Sequence, residues 1–343
     1  MNLLLKIIII AIIFLKSNEY IMAQTSQFKV MFFNTENYFD SFDDPKTLDD
    51  DFTPTGSYHW TWNRFLEKRD ALAKIIIAVG EGKIPSIVGL CEIENRFVLN
   101  QLVNETPLAK FNYRIVHRDS PDTRGIDVAL LYNPADFELL YQNFYQISKS
   151  FKTREILYAK GIFCGADTLH IFVNHFPSKR GGAKTSEPRR TAAAIELKRL
   201  CDSLLSINKN ANILAMGDFN DTPNSEPIVK TLQAKDNFDE IIEHNLYNLA
   251  MPLMKKGDGT IKYQGVWEFI DLMFVSGNML NDENKISCSQ SDFNIFKAPY
   301  LFEKDNTFVG EKPKRTYIGM KYNGGISDHL PVYIRLKIKV ESF

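Results

Sequence analysis

Short apolar runs rich in β-branched and aromatic side chains recur along the chain: Phe28–Phe33, Ser86–Cys91, Asp127–Tyr132, Ile156–Phe163, Leu169–Asn174, Asn212–Met216, Phe269–Val275 and Pro331–Leu336. Their lengths suit buried strands. Two intervening stretches carry a different period. In Arg64–Val79 (RFLEKRDALAKIIIAV) and Arg189–Leu205 (RRTAAAIELKRLCDSLL) apolar residues return every three or four positions, which gathers them on one face of a helix. Strands interleaved with helices predict α/β layers around a shared core. Asp40–Asp51 is acidic and turn-rich and reads as a surface loop, while Gly257–Gly265 and Asn323–Gly325 read as turns. No repeat, low-complexity block or Pro/Gly/Ser-rich linker divides residues 24–343, so one domain is the simplest account.

The first residues break this pattern. Lys6 precedes the apolar run Ile7–Leu15, and Met22-Ala23 ends on a small residue before Gln24. A basic start, an apolar stretch of about 7–15 residues and a small-residue cleavage site make up a secretory signal. The run falls short of the ~20 residues that span a bilayer. The expectation is a signal peptide over residues 1–23, export to a periplasmic or extracellular location, and no stable membrane span afterwards.

Composition narrows the partners. The 343 residues carry 41 Lys+Arg and 42 Asp+Glu, for a formal charge of −1. Loss of Lys6, Lys16 and Glu19 with the signal would leave −2. Tight sequence-independent DNA binding usually shows as a basic stripe or a high pI, and the pI here is about 6.6. Neither zinc-finger spacing nor a strongly basic helix points to a sequence-specific DNA reader. The cysteines Cys91, Cys164, Cys201 and Cys288 form no C-x-x-C pair, against zinc-ribbon and thioredoxin-like chemistry. No Gly-x-Ser-x-Gly elbow and no P-loop occurs.

Candidate chemistry collects at the ends of the apolar runs, where loops from several strands converge. VMFFNTE ends in Asn34 and Glu36, IVGLCEIEN in Glu92 and Glu94, and FVNHF in Asn174 and His175. ILAMGDFND ends in Asp218, Asn220 and Asp221. FIDLMFV opens on Asp271, and GGISDHLPV carries Asp328 and His329. Each residue alone has a structural explanation, as a strand-end ion pair, a helix cap or a satisfied core histidine. Together, carboxylates and carboxamides form the hard oxygen shell preferred by Mg²⁺, Mn²⁺ or Ca²⁺, and neighbouring carboxylates can tune the two histidines.

In this order, from Asn34 to His329, the motifs resemble those of the endonuclease/exonuclease/phosphatase superfamily, the group of pancreatic deoxyribonuclease. Gly217–Asn220 (GDFN) and Ser327–Pro331 (SDHLP) are the most specific pieces. The resemblance implies a four-layer α/β sandwich, two packed mixed β-sheets with helices outside. It implies Glu92 as principal metal carboxylate, with Asn34, Glu36 and Asp328 completing or supporting the site. It gives Asp218 and Asn220 the attacking water, pairs His329 with Asp271, and makes His175 the second catalytic histidine. Arg154 falls where some members bind phosphate. Asp127 is the candidate acidic partner of the second histidine, and Arg124 a further phosphate contact. Tyr263, Gln264 and Trp267 are candidates for a substrate pocket.

The activity implied is metal-dependent hydrolysis of phosphodiesters, most like an endonuclease. The alternatives are a phosphatase or lipid phosphodiesterase acting on a small phospho-compound and, in another class, a non-catalytic binding protein on the same scaffold.

Overall fold

Side-chain alternation along one strand organises the molecule. The structure, a computed structural model, describes residues 24–340; the expected signal peptide lies outside them. In β1 (Gln24–Tyr38), Val30 and Phe32 face one hydrophobic core while Met31 and Phe33 face another. A strand apolar on both faces belongs inside a layered stack. Along the chain follow α1 (Trp62–Gly80), β2 (Ile87–Ile93), α2 (Arg96–Asn104), β3 (Arg114–His117), β4 (Asp127–Tyr132), β5 (Phe137–Tyr145) and β6 (Ile156–Phe163). Next come β7 (Asp167–His175), α3 (Ala183–Ile207), β8 (Asn212–Asp218), β9 (Leu246–Asn248) and the short α4 (Met251–Lys255). A hairpin of β10 (Ile261–Tyr263) and β11 (Val266–Glu268) precedes β12 (Asp271–Ser276), β13 (Ile286–Ser287) and β14 (Phe293–Ile295). Two small hairpins, β15 (Phe302–Lys304) with β16 (Glu311–Pro313) and β17 (Tyr317–Ile318) with β18 (Lys321–Tyr322), lead to β19 (Val332–Val340).

The strands make two mixed sheets. The first runs β13-β19-β1-β2-β4-β3, with β14 also on β19; the second runs β5-β6-β7-β8-β12-β9. Each is antiparallel except for one central parallel pair, β1·β2 or β7·β8. Parallel neighbours need a crossover, supplied by α1 in one sheet and α3 in the other. Residues such as Val30, Phe32, Leu130, Ile171 and Met216 fill the core that includes the space between the sheets. There the sheets approach closely: a Cβ on Gly89 of β2 would lie 2.8 Å from Met216 Cε of β8. Phe65, Leu72 and Ile76 of α1 pack with Met31 and Phe33 on the outer face of the first sheet, and Ala193, Leu197 and Leu200 of α3 belong to the core of the second. The expected α/β sandwich is the fold observed.

The differences from expectation have local causes. The second helix begins at Ala183, ahead of the predicted Arg189, although Pro188 lies inside it. Proline removes the backbone donor that would face Lys184 O, while side chains add bonds to the carbonyls just before it. Ser186 Oγ donates to Gly182 O at 2.7 Å and Arg190 Nη2 to Ala183 O at 2.9 Å. Strand β5 shows no clean alternation because it is an edge strand with a bulge and exposed Leu140 and Tyr141. The Asp40–Asp51 loop is not wholly on the surface. Asp40 and Asp49 are buried, and the Asp40 amide donates to Glu94 Oε2 at 2.6 Å. The stretch Gly257–Gly265 contains β10 as well as turns.

Candidate active site

Parallel pairing brings two strand C-termini side by side, and both pairs deliver their polar residues at that end. In the second sheet His175 stands opposite Asp218, and Asp271 of β12 flanks Asp218 from the other side. In the first, Asn34 pairs with Cys91, the residue before Glu92. Backbone irregularity aims these groups. The β1·β2 and β2·β4 registers both shift here, and Glu36, Asn37, Glu92 and Asn220 take left-handed φ of 51°, 58°, 59° and 50°. Non-glycine residues are uncommon there, and a bulge of this kind re-aims a side chain. Gly217 of GDFN has no room for a side chain, because a Cβ would stand 2.4 Å from Asn174 O on β7.

Asp218 is the hub. Its Oδ2 accepts a hydrogen bond from Asn34 Nδ2 at 3.0 Å and lies 3.6 Å from His175 Nε2 and 3.9 Å from His329 Nε2. Its Oδ1 accepts the Asn220 amide at 2.8 Å. Asn34 Nδ2 also reaches Glu92 Oε1 at 3.3 Å, and Glu92 Oε2 accepts the Asn37 amide at 2.9 Å. His329 Nδ1 lies 2.8 Å from Asp271 Oδ2. Ser327 anchors this last segment, donating to Asn34 O at 2.8 Å and accepting the His329 amide at 3.0 Å.

The buried charges set the protonation states. Burial lifts the Asp218 carboxyl to about 7, with Asp271 and Glu92 adding to the rise and His329 and the Asn220 amide opposing it. Burial also works against a charged His329. Asp271, by charge and hydrogen bond, and then Asp218 and Asp328 outweigh it and hold His329 well above the usual imidazole range. His175 goes the other way: burial, then the charges of Arg154, Arg124 and His329, keep it well below that range. The site thus holds one cationic and one neutral histidine around a carboxylate poised near neutrality.

Several expected residues are used differently. Asp127 does not partner His175; its Oδ2 lies 3.2 Å from His117 Nε2 and its Oδ1 accepts the Ser120 amide at 2.8 Å. His175 Nδ1 is buried without a hydrogen-bond partner. Glu36 is turned from Glu92 toward Arg315 Nε at 3.1 Å and the Thr316 amide at 2.7 Å. Burial first, and then Asp328, pushes its carboxyl up to about 7 against Lys68, Arg315 and the Thr316 amide. Asn34 presents its amide nitrogen to Glu92, while its Oδ1 accepts the Glu36 amide at 2.9 Å. Arg154 is buried beside His175, donating to Asp122 Oδ2 at 3.0 Å and Phe176 O at 2.7 Å. Arg124 is more open, with Nε 3.6 Å from Asp122 Oδ1. Asp221 turns away to Arg190 Nε at 2.7 Å.

A groove of about 850 Å³ opens from Asn220. Its lining includes Lys179, Arg180, Ile261, Tyr263, Ile270 and Arg315. Gln264 donates to Tyr263 OH at the hairpin turn. Trp267 faces the other side of the hairpin, toward Phe302 and a separate cavity with Asp258 and Lys297. Period-two alternation on β11 explains the split.

The oxygen donors with open surface are Glu92 and Asp328, whose side chains are 16% and 24% exposed. Cys91 also lies within 4.8 Å ligand spacing of His175 and Asp218. Its thiol is buried and pushed far up by burial first and by Asp218 next, so it offers no thiolate. The remaining set of carboxylates suits a hard divalent cation.

The sequence patterns did not single out Asp122, His117, Lys68 or Arg315. Lys68 carried a signal. It interrupts the core-facing stripe Phe65, Leu72, Ile75, Ile76 and Val79 of α1, where an unpaired charge is costly. Its Nζ donates to Glu36 O, Thr316 Oγ1 and Ile326 O at 2.6, 2.7 and 3.0 Å.

The fold and motifs have counterparts. A profile of the Endonuclease/Exonuclease/phosphatase family matches residues 29–338. No curated protein matches the sequence. Among solved structures, truncated Caenorhabditis elegans TDP2 aligns with TM-score 0.55 at 16% identity, covering 91% of this chain and 97% of its own. D. rerio TDP2 complexed with single strand DNA product gives 0.55 at 12%, covering 91% and 99%. The endonuclease/exonuclease/phosphatase from Bacteroides vulgatus gives 0.54 at 16%, covering 91% and 99%. With the match running nearly end to end, the chain belongs to the endonuclease/exonuclease/phosphatase family.

Proposed function

We propose that the chain is an exported, divalent-metal-dependent phosphoesterase that hydrolyses phosphodiester bonds, with nucleic acid the substrate class to test first. One observation carries the reading: Asp218 lies in register between His175 and Asp271, with His329 Nε2 3.9 Å from its Oδ2. Family membership and a TDP2 neighbour solved with a single strand DNA product support it. The layout of residues 1–23 supports export.

Glu92 and Asp328 would hold Mg²⁺, Mn²⁺ or Ca²⁺, with Asn34 orienting Glu92. When bound, such an ion polarises a phosphoryl oxygen and offsets the charge gathering there. The protein supplies the rest. Asp218, poised at about 7, takes the proton of the attacking water, near the optimum for a base at neutral pH. Asn220 donates its Nδ2 to Phe176 O at 3.0 Å, which leaves its Oδ1 to orient that water. His329, kept cationic by Asp271, sets positive charge against the phosphoryl group. Neutral His175 offers an Nε2–H hydrogen bond to a phosphoryl oxygen and keeps its proton, while cationic His329 is the histidine with a proton to give the departing oxygen.

Chelation with EDTA should abolish hydrolysis of bis-p-nitrophenyl phosphate, and Mg²⁺ or Mn²⁺ should restore it. Full turnover after verified metal removal refutes the metal's role.

One feature favours a second reading, a lipid or other amphiphilic diester. Next to Tyr263, which lines the groove, the hairpin turn carries an exposed apolar cluster, with Val266, Phe308 and Val309 62%, 44% and 97% exposed. An exposed apolar cluster of this kind beside a phosphate groove suits the apolar part of an amphiphile. Plasmid DNA, RNA and a phospholipid compared under the same metal conditions separate the readings.

A further inference from the structure

Nothing in the motifs marks Arg315, yet it is the most tightly framed cation bordering the groove. Its Nε lies 3.1 Å from Glu36 Oε1 and its Nη2 3.0 Å from Asp328 Oδ2. The adjacent Thr316 amide takes the other Glu36 oxygen at 2.7 Å. Lys68 clamps the segment from behind by bonding Glu36 O, Thr316 Oγ1 and Ile326 O. An arginine held this way does not swing like a surface side chain. Its side chain is nevertheless 46% exposed, and it lines the same groove as Asn220.

A guanidinium has five N–H donors in a planar fork that matches phosphate oxygens. Two contacts to carboxylates leave donors for the groove. Two facing carboxylates, Glu36 and Asp328, are also what a second divalent ion would need, and here a guanidinium lies between them. The fixed positive charge is therefore already built into the chain.

We propose that Arg315 binds the substrate phosphate and stands where a second metal ion would sit, so that the centre works with one divalent ion and one guanidinium. The proposal rests on the phosphoesterase reading above. It makes Glu36 an arginine clamp, and Asp328 a carboxylate shared between Arg315 and the ion.

Calorimetry on the full chain tests it, with Mn²⁺ titrated into wild type and inorganic phosphate titrated into metal-free wild type, Arg315→Met and Arg315→Lys. The expected result is one Mn²⁺ per wild-type chain and measurable phosphate binding without metal. Phosphate Kd should rise at least tenfold in Arg315→Met and to an intermediate degree in Arg315→Lys, which keeps the charge but loses the fork. The KM for bis-p-nitrophenyl phosphate should rise in parallel. Two Mn²⁺ ions per wild-type chain, no phosphate binding by the metal-free wild type, or an unchanged phosphate Kd in folded Arg315→Met overturns the proposal. If Arg315→Met does not fold, an unchanged Kd in Arg315→Lys does so instead. A wild type that binds neither probe and cleaves no diester removes the phosphoesterase reading itself, a result distinct from failure at Arg315 alone.

Discussion

Asp271→Asn isolates the electrostatics of the site, because the side chain keeps its shape and loses its charge. Asp271 is 1% exposed and its Oδ2 lies 2.8 Å from His329 Nδ1. At an effective dielectric constant of about 20, a full charge pair at that separation interacts by roughly 6 kcal/mol, an upper bound. The net worth of a charged hydrogen bond is about 1.5–3 kcal/mol. Burial already pushes His329 toward the neutral form, and Asp271 is first among the groups that resist it. With that carboxylate neutralised, only Asp218 and Asp328 remain on the resisting side, and the imidazole should drop toward or below its usual value of about 6.5.

Loss of a preorganised positive charge at a phosphoryl centre should lower kcat about 10²–10³-fold at neutral pH. The sign with pH follows from the direction of the shift. A raised histidine favours the folded, charged state below about 6.5 and loses that contribution only as pH climbs through its folded value. Wild-type activity should therefore show no basic limb from His329 near neutrality, while the variant should lose its residual activity between about pH 5 and 8. A pH–rate profile and an imidazole NMR titration measure the two effects. A kcat within threefold of wild type, with an unmoved His329 titration, refutes the reasoning.

Three further outcomes follow from separate features. Glu94 is pushed up to about 8, by burial first and Asp40 second. A carboxyl raised on folding stabilises fully below about 4.5 and loses that contribution as pH rises through 8, so Glu94→Gln should melt with wild type near pH 5. Near pH 9 it should melt higher, by on the order of 2–4 kcal/mol; equal melting at both pH values contradicts this. Lys68→Met removes three hydrogen bonds, two of them fully buried, and at about 1 kcal/mol each should cost about 2–4 kcal/mol in denaturant unfolding. A cost under about 0.5 kcal/mol argues against the clamp. Asp127→Asn should lower kcat less than about threefold, since Asp127 pairs with His117 and not His175; a hundredfold loss would return it to the catalytic centre.

Legibility in the sequence followed burial. Strands β4 and β6 stand where their apolar runs begin and end, because most of their positions are buried and a buried strand position is usually apolar. Strand β5, half exposed at an edge, escaped the pattern. Site chemistry was legible as far as strand ends mark a rim: Asp218 and Asp271 proved to be register partners. Pairing between distant segments was not legible. Glu36 and Arg315 are separated by 279 positions, and no local periodicity says which acid a cation will choose. Asp127 illustrates the same limit, since nothing in the run Asp127–Tyr132 says that His117 on the neighbouring strand would claim it.

The placement of the site follows from topology before chemistry. An antiparallel neighbour brings a strand's C-terminus beside another's N-terminus, whereas a parallel pair sets two C-termini together. Each sheet contains one parallel pair, and stacking the sheets puts Asn34 and Glu92 from one beside His175 and Asp218 from the other. Left-handed backbone at Glu36, Asn37, Glu92 and Asn220 clusters at these same ends. Such conformations cost on the order of 1–3 kcal/mol each, and a chain keeps them only where packing over-determines them. Here the two cores on either side of β1 do so. The rigidity of the sandwich and the strain at its rim are thus one design, in which burial behind the site fixes the charges in front of it.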